Sequence, residues 1–168
     1  MSKILLIGGN GYIGSRLQQS LDVDVVDTNW FSDEGSGEDF KDLTSKHYDD
    51  YDTVILLAGH SSVKMSEGNL NSCFNNNVRN FIDLIEKLDG QRLIYASSSS
   101  VYGSVGGKTV NEKYYGFEPY NQYDISKHTA DLYAQKSDVE YYGLRFGTVN
   151  GCSPVLLSLI HISEPTRR

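Results

Sequence analysis

Tyr123, Lys127 and Ser98 are the residues whose types and spacing suggest chemistry. In Tyr123-Asp-Ile-Ser-Lys127 the phenol and the ammonium stand at i and i+4, which on a helix puts both on one face. A phenol with an ordinary pKa of about 10 is a poor base at neutral pH. A neighbouring ammonium favours the phenolate and lowers that value, so the pair is equipped to take a proton from a substrate hydroxyl. Ser98, within Ser97-Ser-Ser-Ser-Val-Tyr-Gly103, would hydrogen-bond the same hydroxyl and the oxygen that becomes a carbonyl. Neither signal is specific by itself, because the chain holds 12 tyrosines and serine runs are common in loops. Their weight comes from what precedes them.

Lys3-Ile-Leu-Leu-Ile-Gly-Gly-Asn-Gly-Tyr-Ile-Gly14 reads as a strand over Ile4–Ile7, buried on both faces, that runs without a linker into glycines at 8, 11 and 14. Gly8 lets the chain reverse, Gly11 lets a pyrophosphate approach the backbone, and Gly14 lets a helix pack closely on the strand. That helix, expected from about Gly11 through Leu17, presents free N–H groups and a positive dipole end to the phosphates. Val23-Asp-Val-Val-Asp27 reads as a second strand whose terminal carboxylate lies about 20 residues beyond Gly8, where a dinucleotide fold places the acid that binds the adenosine ribose. No Arg or Lys follows until Lys41, so a 2′-phosphate would meet a carboxylate and no cation; NAD is favoured over NADP. A strand-end Asp is also a common turn former, so the inference rests on the combination.

From Phe31 to Lys41 the composition predicts a surface loop. Thr53-Val-Ile-Leu-Leu-Ala58 reads as the next buried strand, with the small polar exit Gly59-His60-Ser61-Ser62-Val63 at the carboxyl edge, where open α/β sheets bind ligands. A solvated loop histidine is the expectation for His60. Residues 70–88 carry Val78, Phe81, Ile82, Ile85 and Leu88 at helical spacing, closed by Gly90. Asn75, Asn76 and Asn77 are poor helix formers inside that stripe, which suggests that an amide there holds backbone or ligand. Arg92-Leu-Ile-Tyr-Ala96 reads as a strand leading to the serine run, and the Tyr/Lys helix is expected to continue to about Lys136.

The chain has 168 residues, one domain by length, and a formal net charge of −7, which argues against nucleic acid as a bulk partner. No run approaches a membrane span, and Met-Ser-Lys before a strand is unlike a secretory signal. Cys73 and Cys152 suggest neither a disulfide framework nor a metal site, so no metal is expected and a reducing cytoplasm is the expected compartment.

These features resemble the extended short-chain dehydrogenase/reductase family, within it the NAD-dependent nucleotide-sugar epimerases and dehydratases, from Lys3 to about Pro154. The resemblance implies a doubly wound, Rossmann-like parallel α/β sheet over residues 1–156. It also implies Ser98, Tyr123 and Lys127 as catalytic residues and NAD as cofactor. The implied cofactor-binding set is Gly8, Gly11, Tyr12, Ile13, Gly14, Asp27, Asp42 at the adenine, Leu43, Leu57, Ala58, Gly59, Asn77, Ser97, Tyr123 and Lys127. Asn77-Val78 looks like the family's helix asparagine motif, and Leu144-Arg145-Phe146 resembles the strand leading toward the nicotinamide and sugar. Where the 4,6-dehydratases carry an Asp-Glu pair after the catalytic Thr, Ser99 and Ser100 stand here, so epimerase or reductase chemistry is expected rather than elimination. Gly147-Thr148-Val149 also departs from the Asn that many relatives carry near the nicotinamide.

Relatives of this type continue for roughly another domain, adding the surface that grips a nucleotide-linked sugar, and often dimerise through two helices. By contrast, Leu157-Ser-Leu-Ile-His-Ile-Ser-Glu-Pro-Thr-Arg167 reads as a translated sequencing-library adapter, CTG TCT CTT ATA CAC ATC encoding Leu157 to Ile162. The expectation is therefore a fragment of a homodimeric enzyme with an adapter-derived tail over 157–168. Two other readings share the scaffold: an NAD(P)-dependent reductase of a small carbonyl compound, and a non-catalytic NAD-binding protein.

Overall fold

The computed structural model describes residues 2–28, 37–114 and 118–151; Asn29, Trp30, the first part of the Gly/Ser-rich loop, Cys152, the end of the expected domain at 156 and the adapter-like tail lie outside the described residues. Strand β1 (Ile4–Ile7) lies between β2 (Asp24–Val26) and β3 (Thr53–Leu56), and β4 (Arg92–Ser98) and β5 (Tyr141–Phe146) extend the sheet beyond β3. The order is β2-β1-β3-β4-β5, with every neighbouring pair parallel. A parallel sheet is covered on both faces, which is why β1 and β3 are continuous apolar runs rather than alternating ones.

The chain steps from β1 to β2 in one direction and from β3 through β4 to β5 in the other. Right-handed crossovers taken in opposite directions place their helices on opposite faces. The first crossover holds α1 (Gly14–Leu17). The β3–β4 crossover holds α2 (Val63–Glu67), α3 (Leu70–Phe74) and α4 (Asn80–Ile85), and α5 (Gln122–Ala134) joins β4 to β5. Leu5, Ile7, Val54, Leu56, Leu93 and Tyr95 meet Phe81, Leu84, Ile85, Ala130 and Ala134 in the main core. On the opposite face Leu6, Ile55, Ile94 and Tyr142 form one row across the strands. Exposure in that row rises from 0% at Leu6 and 7% at Ile55 to 51% at Tyr142.

Several expected boundaries move, each for a local reason. The first helix is regular only over Gly14–Leu17, although the Ser15 N–H already bonds the Gly11 carbonyl. Phe40–Asp42 is a short 3₁₀ turn rather than loop, because Phe40 is drawn into the core and the Asp39 carboxylate caps it by accepting the Lys41 N–H. The helix expected over 70–88 widens at Asn75–Arg79 into a π-turn, where the Asn80 N–H reaches back five residues to the Asn75 carbonyl. Three successive asparagines hold the α conformation weakly, and the wider turn puts both Asn77 and Val78 in the interior. The helix stops at Ile85, so Gly90, at φ 88°, serves the turn into β4 and not the helix end. Strand β4 runs on through Ser97 and Ser98, which pair with Arg145 and Phe146.

Candidate active site

The order in which strands are added reverses between β1 and β3, and the glycine turn lies at that switch point on the carboxyl edge. Gly8 has φ 86°, and a Cβ there would lie 2.5 Å from the Ala58 nitrogen at the β3 exit. At Gly14 a Cβ would come within 2.4 Å of the Gly8 carbonyl oxygen, so α1 packs on the turn only without a side chain. Nothing but the Gly8 oxygen, at 3.4 Å, would approach a Cβ on Gly11, which leaves that side of the turn open. Gly9, absent from the sequence expectations, is equally constrained: its Cβ would lie 2.5 Å from Val25 Cγ1. Tyr12 and Ile13 are half-buried at the start of α1.

Asp27 follows β2, and its Oδ2 accepts the Asn10 N–H at 2.7 Å. Burial pushes its carboxyl up from the ordinary aspartate value, against the lowering effect of the backbone N–H groups of Asn10 and Thr28. The acid expected to meet a ribose thus also fixes the glycine turn. Asp42 and Leu43 do not join it through their side chains. Asp42 is exposed and 3.5 Å from the Lys41 ammonium, while Leu43 is buried in the core, so only its backbone is available to a ligand.

At the β3 exit the N–H groups of Leu57 and Ala58 both donate to the Ile7 carbonyl, at 2.8 and 3.2 Å, which locks this exit to β1. The next residues are held by the π-turn. Asn77 Oδ1 accepts the His60 N–H at 2.8 Å, and Asn77 Nδ2 donates to the His60 carbonyl at 3.2 Å. His60 is therefore not a freely solvated loop residue: it is half-buried, its Nδ1 is 3.4 Å from Asn76 Nδ2, and burial and the Lys127 charge both lower its pKa.

Helix α5 begins at Asn121, whose side chain accepts the Asp124 N–H at 3.0 Å, and this cap sets Tyr123 in the first turn. Tyr123 is buried, and the Ser98 hydroxyl stands near enough to its phenol to lower the phenol's pKa, so the structure brings together two of the three residues expected to react. Lys127, one turn on, donates from Nζ to the Ala96 carbonyl at 2.9 Å and stands 6.0 Å from the centroid of the Tyr123 ring. Its ammonium is withdrawn from water, which lowers its pKa to about 8 despite the opposing pull of Asp131. The expected lowering of the Tyr123 pKa is not what the protein's own groups produce. Burial raises it, with the Ser98 hydrogen bond pulling the other way, because the Lys127 proton is spent on the Ala96 carbonyl rather than on the phenol oxygen.

Asp131, the next residue on the Lys127 face of α5, accepts from the Tyr95 hydroxyl at 2.9 Å and from Arg145 Nε at 3.0 Å. Arg145 also stacks on Tyr102, 4.9 Å from its centroid, which ties β5 to the turn after Ser98. The signal for Asp131 was its i+4 spacing from Lys127, which the sequence analysis did not use.

The site has the form a dinucleotide needs. Glycines whose Cβ atoms would strike backbone make the cradle, and buried polar side-chain atoms without protein partners stand at the ends of β1 and β4: Asn10 Nδ2 and Ser100 Oγ in the turns that follow them, and Ser97 Oγ near the end of β4. A small cavity beside Lys127 is lined by Ala58, Asn76, Asn77 and Ala96. A roomier one of about 360 Å³ lies between the far ends of α4 and α5, away from the trio. Among the described residues no group of three or more His, Cys, Asp or Glu could hold a metal ion, and no helix is long and apolar enough to cross a membrane.

The same fold recurs in known proteins. The chain is 28% identical to the protein CapI of Staphylococcus aureus, over 89% of this chain and 54% of that protein. It is 29% identical to a UDP-glucose 4-epimerase of Lactobacillus helveticus, over 90% of this chain and 53% of that enzyme. The chain thus spans about half the length of the curated relatives it matches. Among solved structures, the UDP-glucuronic acid 4-epimerase of Bacillus cereus, in complex with UDP-glucuronic acid and NAD, superposes with a TM-score of 0.76 at 26% identity, covering 91% of this chain and 59% of that one. The switch-point glycines, Asp27 and the trio Ser98, Tyr123 and Lys127 gather at one edge of a Rossmann-like sheet, and the family model for NAD dependent epimerases and dehydratases matches residues 4–156; the chain belongs to the NAD dependent epimerase/dehydratase family.

Proposed function

We propose that the protein is a nucleotide-sugar epimerase that uses NAD, with Tyr123 as base, Ser98 as the hydrogen-bonding partner of the reacting oxygen and Lys127 as the charge that holds both. What supports the reading most is the gathering of the buried Ser98 and Tyr123 with Lys127, whose Nζ is 6.0 Å from the centroid of the Tyr123 ring, at the same sheet edge as the glycine cradle. Gly8, Gly11, Tyr12, Ile13 and Gly14 would hold the pyrophosphate, Asp27 the adenosine ribose, and Asp42 with the Leu43 backbone the adenine. Leu57, Ala58, Gly59, Asn77 and Ser97 would line the remainder. Bound NAD would supply the hydride acceptor and donor. The ionised Tyr123 takes the proton of a sugar hydroxyl, keeps it while the carbon is trigonal, and returns it when the inverted alcohol forms. Ser98 steadies the oxygen through both steps. Ser99 is exposed and Ser100 carries no ionisable group, so neither supplies the acid–base pair that water elimination needs.

Incubation of the full-length protein with UDP-glucose or UDP-glucuronic acid, followed by NMR of the sugar protons, tests the reading. Inversion at one carbon without net NADH is expected, and Tyr123→Phe should lower the rate by about 100-fold or more. Net consumption of NADH with simple ketones, and none with UDP-sugars, would favour the reductase instead. The proposal extends to a cytoplasmic homodimer of the longer protein, for which the exposed apolar side chains of Ile125 and Leu132 on α5 and Phe74 on α3 offer contact area; sedimentation decides it. It extends also to the adapter origin of residues 157–168, which the reading frame past codon 154 of the gene would settle.

A further inference from the structure

We propose that Ser126 is a positioning residue for this reaction: its buried hydroxyl fastens the turn of α5 that carries Tyr123 to Asn77 and, through Asn77, to the β3 exit at Gly59-His60. The proposal rests on the epimerase reading for its function and on the contacts below for its geometry.

Ser126 is 0% exposed. Its Oγ donates to the Tyr123 carbonyl at 2.7 Å and accepts from Asn77 Nδ2 at 3.0 Å, with the Cys73 thiol 3.7 Å away on its remaining lone pair. A hydroxyl has one proton and two acceptor positions, so all three are taken. Asn77 is equally committed. One amide hydrogen goes to Ser126, the other to the His60 carbonyl at 3.2 Å, and its oxygen takes the His60 N–H at 2.8 Å. A Cβ on Gly59 would stand 2.7 Å from that oxygen, so the loop lies flat against the carboxamide. Apart from these partners Asn77 Nδ2 has only the weak acceptor Cys73 Sγ, at 3.8 Å, so in this buried setting breaking the Ser126–Asn77 bond leaves a polar group poorly matched, at the cost such groups carry.

The consequence falls on the phenol. Tyr123 sits in the first turn of α5, where a helix is least constrained by its own hydrogen bonds, while its partner Ser98 belongs to β4. Two side chains of that helix reach the sheet edge: Lys127 grips the Ala96 carbonyl of β4, and Ser126 grips the β3 exit through Asn77. Lys127 sets the height of α5 on β4. Ser126 sets the rotation of its first turn toward the glycine cradle.

The test uses the full-length protein with three substitutions. In Ser126→Ala, kcat is expected to fall about tenfold or more, as misplacement of a reacting group does, while the NAD Kd measured by calorimetry stays within about twofold. The Tyr123 titration, followed by ¹³Cζ-tyrosine NMR and assigned by its loss in Tyr123→Phe, should move to higher pH, because a displaced phenol moves away from the Ser98 hydroxyl that lowers its pKa. Ser126→Cys, which keeps a weak donor and acceptor, should fall between wild type and Ser126→Ala. Ser66→Ala removes a comparably buried hydroxyl that touches neither Tyr123 nor Asn77, and should leave the titration in place. Wild-type kcat and titration in Ser126→Ala, or equal losses in Ser66→Ala, would overturn the proposal. Should Ser126→Ala not fold, wild-type values in Ser126→Cys would overturn it instead. A wild-type protein without turnover would remove the epimerase reading, and the Tyr123 titration would still judge the positioning role.

Discussion

Two crossovers approach the same sheet edge and hold their loops there by opposite means. The turn from β1 into α1 is held by absence, since Gly8, Gly9 and Gly14 each stand where a Cβ would strike backbone or a neighbouring side chain. The β3 exit and the start of α5 are held by presence, through Asn77, Ser126, Lys127 and Asp131 in buried hydrogen bonds. A steric cradle tolerates almost no substitution but is indifferent to pH. A polar one degrades in steps and responds to protonation.

The contrast is sharpest at Gly14. Valine there places a Cβ within 2.4 Å of one backbone oxygen, and Gly14→Val should destabilise the fold by about 3 kcal/mol or more in urea titration, with loss of NAD binding. A loss below about 1 kcal/mol would mean that α1 slides freely and that the cradle is not steric at all. On the polar side, Asn77→Ala orphans the His60 N–H and carbonyl and should cost about 2 kcal/mol. Tyr95→Phe, which removes one of two donors from the buried Asp131 carboxylate, should cost about 1 kcal/mol while Arg145 keeps the charge paired. If Tyr95→Phe exceeded Asn77→Ala, the polar frame would centre on Asp131 and not on the β3 exit.

A further effect separates the two sides by pH. Lys127 loses its proton at about 8 in the folded protein, against 10.5 ordinarily. Between those values the unfolded chain binds more protons than the folded one, so Lys127 makes stability rise with pH across that window; below about 8 its cost is constant. Lys127→Met should flatten that rise, whereas no substitution in the glycine turn should. The same deprotonation removes the charge beside Tyr123, so turnover is expected to decline above about pH 8 as stability improves.

The sequence announced the steric side well and the polar side poorly. Glycines at 8, 11 and 14 carry their meaning in spacing, and Ile4–Ile7 and Thr53–Leu56 in unbroken apolarity, so β1, β3 and the switch point were all legible. Gly9 escaped because its reason is Val25, on another strand. Asn77 was noticed as an oddity, and the structure supplies the backbone it holds. Ser126 is invisible in the sequence and Asp131 shows only its i+4 spacing from Lys127, since a serine or an aspartate inside a helix takes its meaning from a tertiary partner. For Tyr123, spacing places Lys127 near the phenol but does not show that its ammonium bonds the Ala96 carbonyl, and the expected lowering of the phenol pKa draws also on the positive nicotinamide ring, which is not one of the protein's own groups.

The π-turn at Asn75–Arg79 makes chain length a specified quantity. A π-turn holds one residue more than the α-turn it replaces, so removing one residue there would restore ordinary helix and leave Phe81, Leu84 and Ile85 on the core face, but it would abolish the wider turn that puts both Asn77 and Val78 in the interior. Individual letters in that segment can be exchanged and scored one at a time, but their number cannot. A homologous chain with a gap at this point would have to hold its nucleotide edge by some other construction.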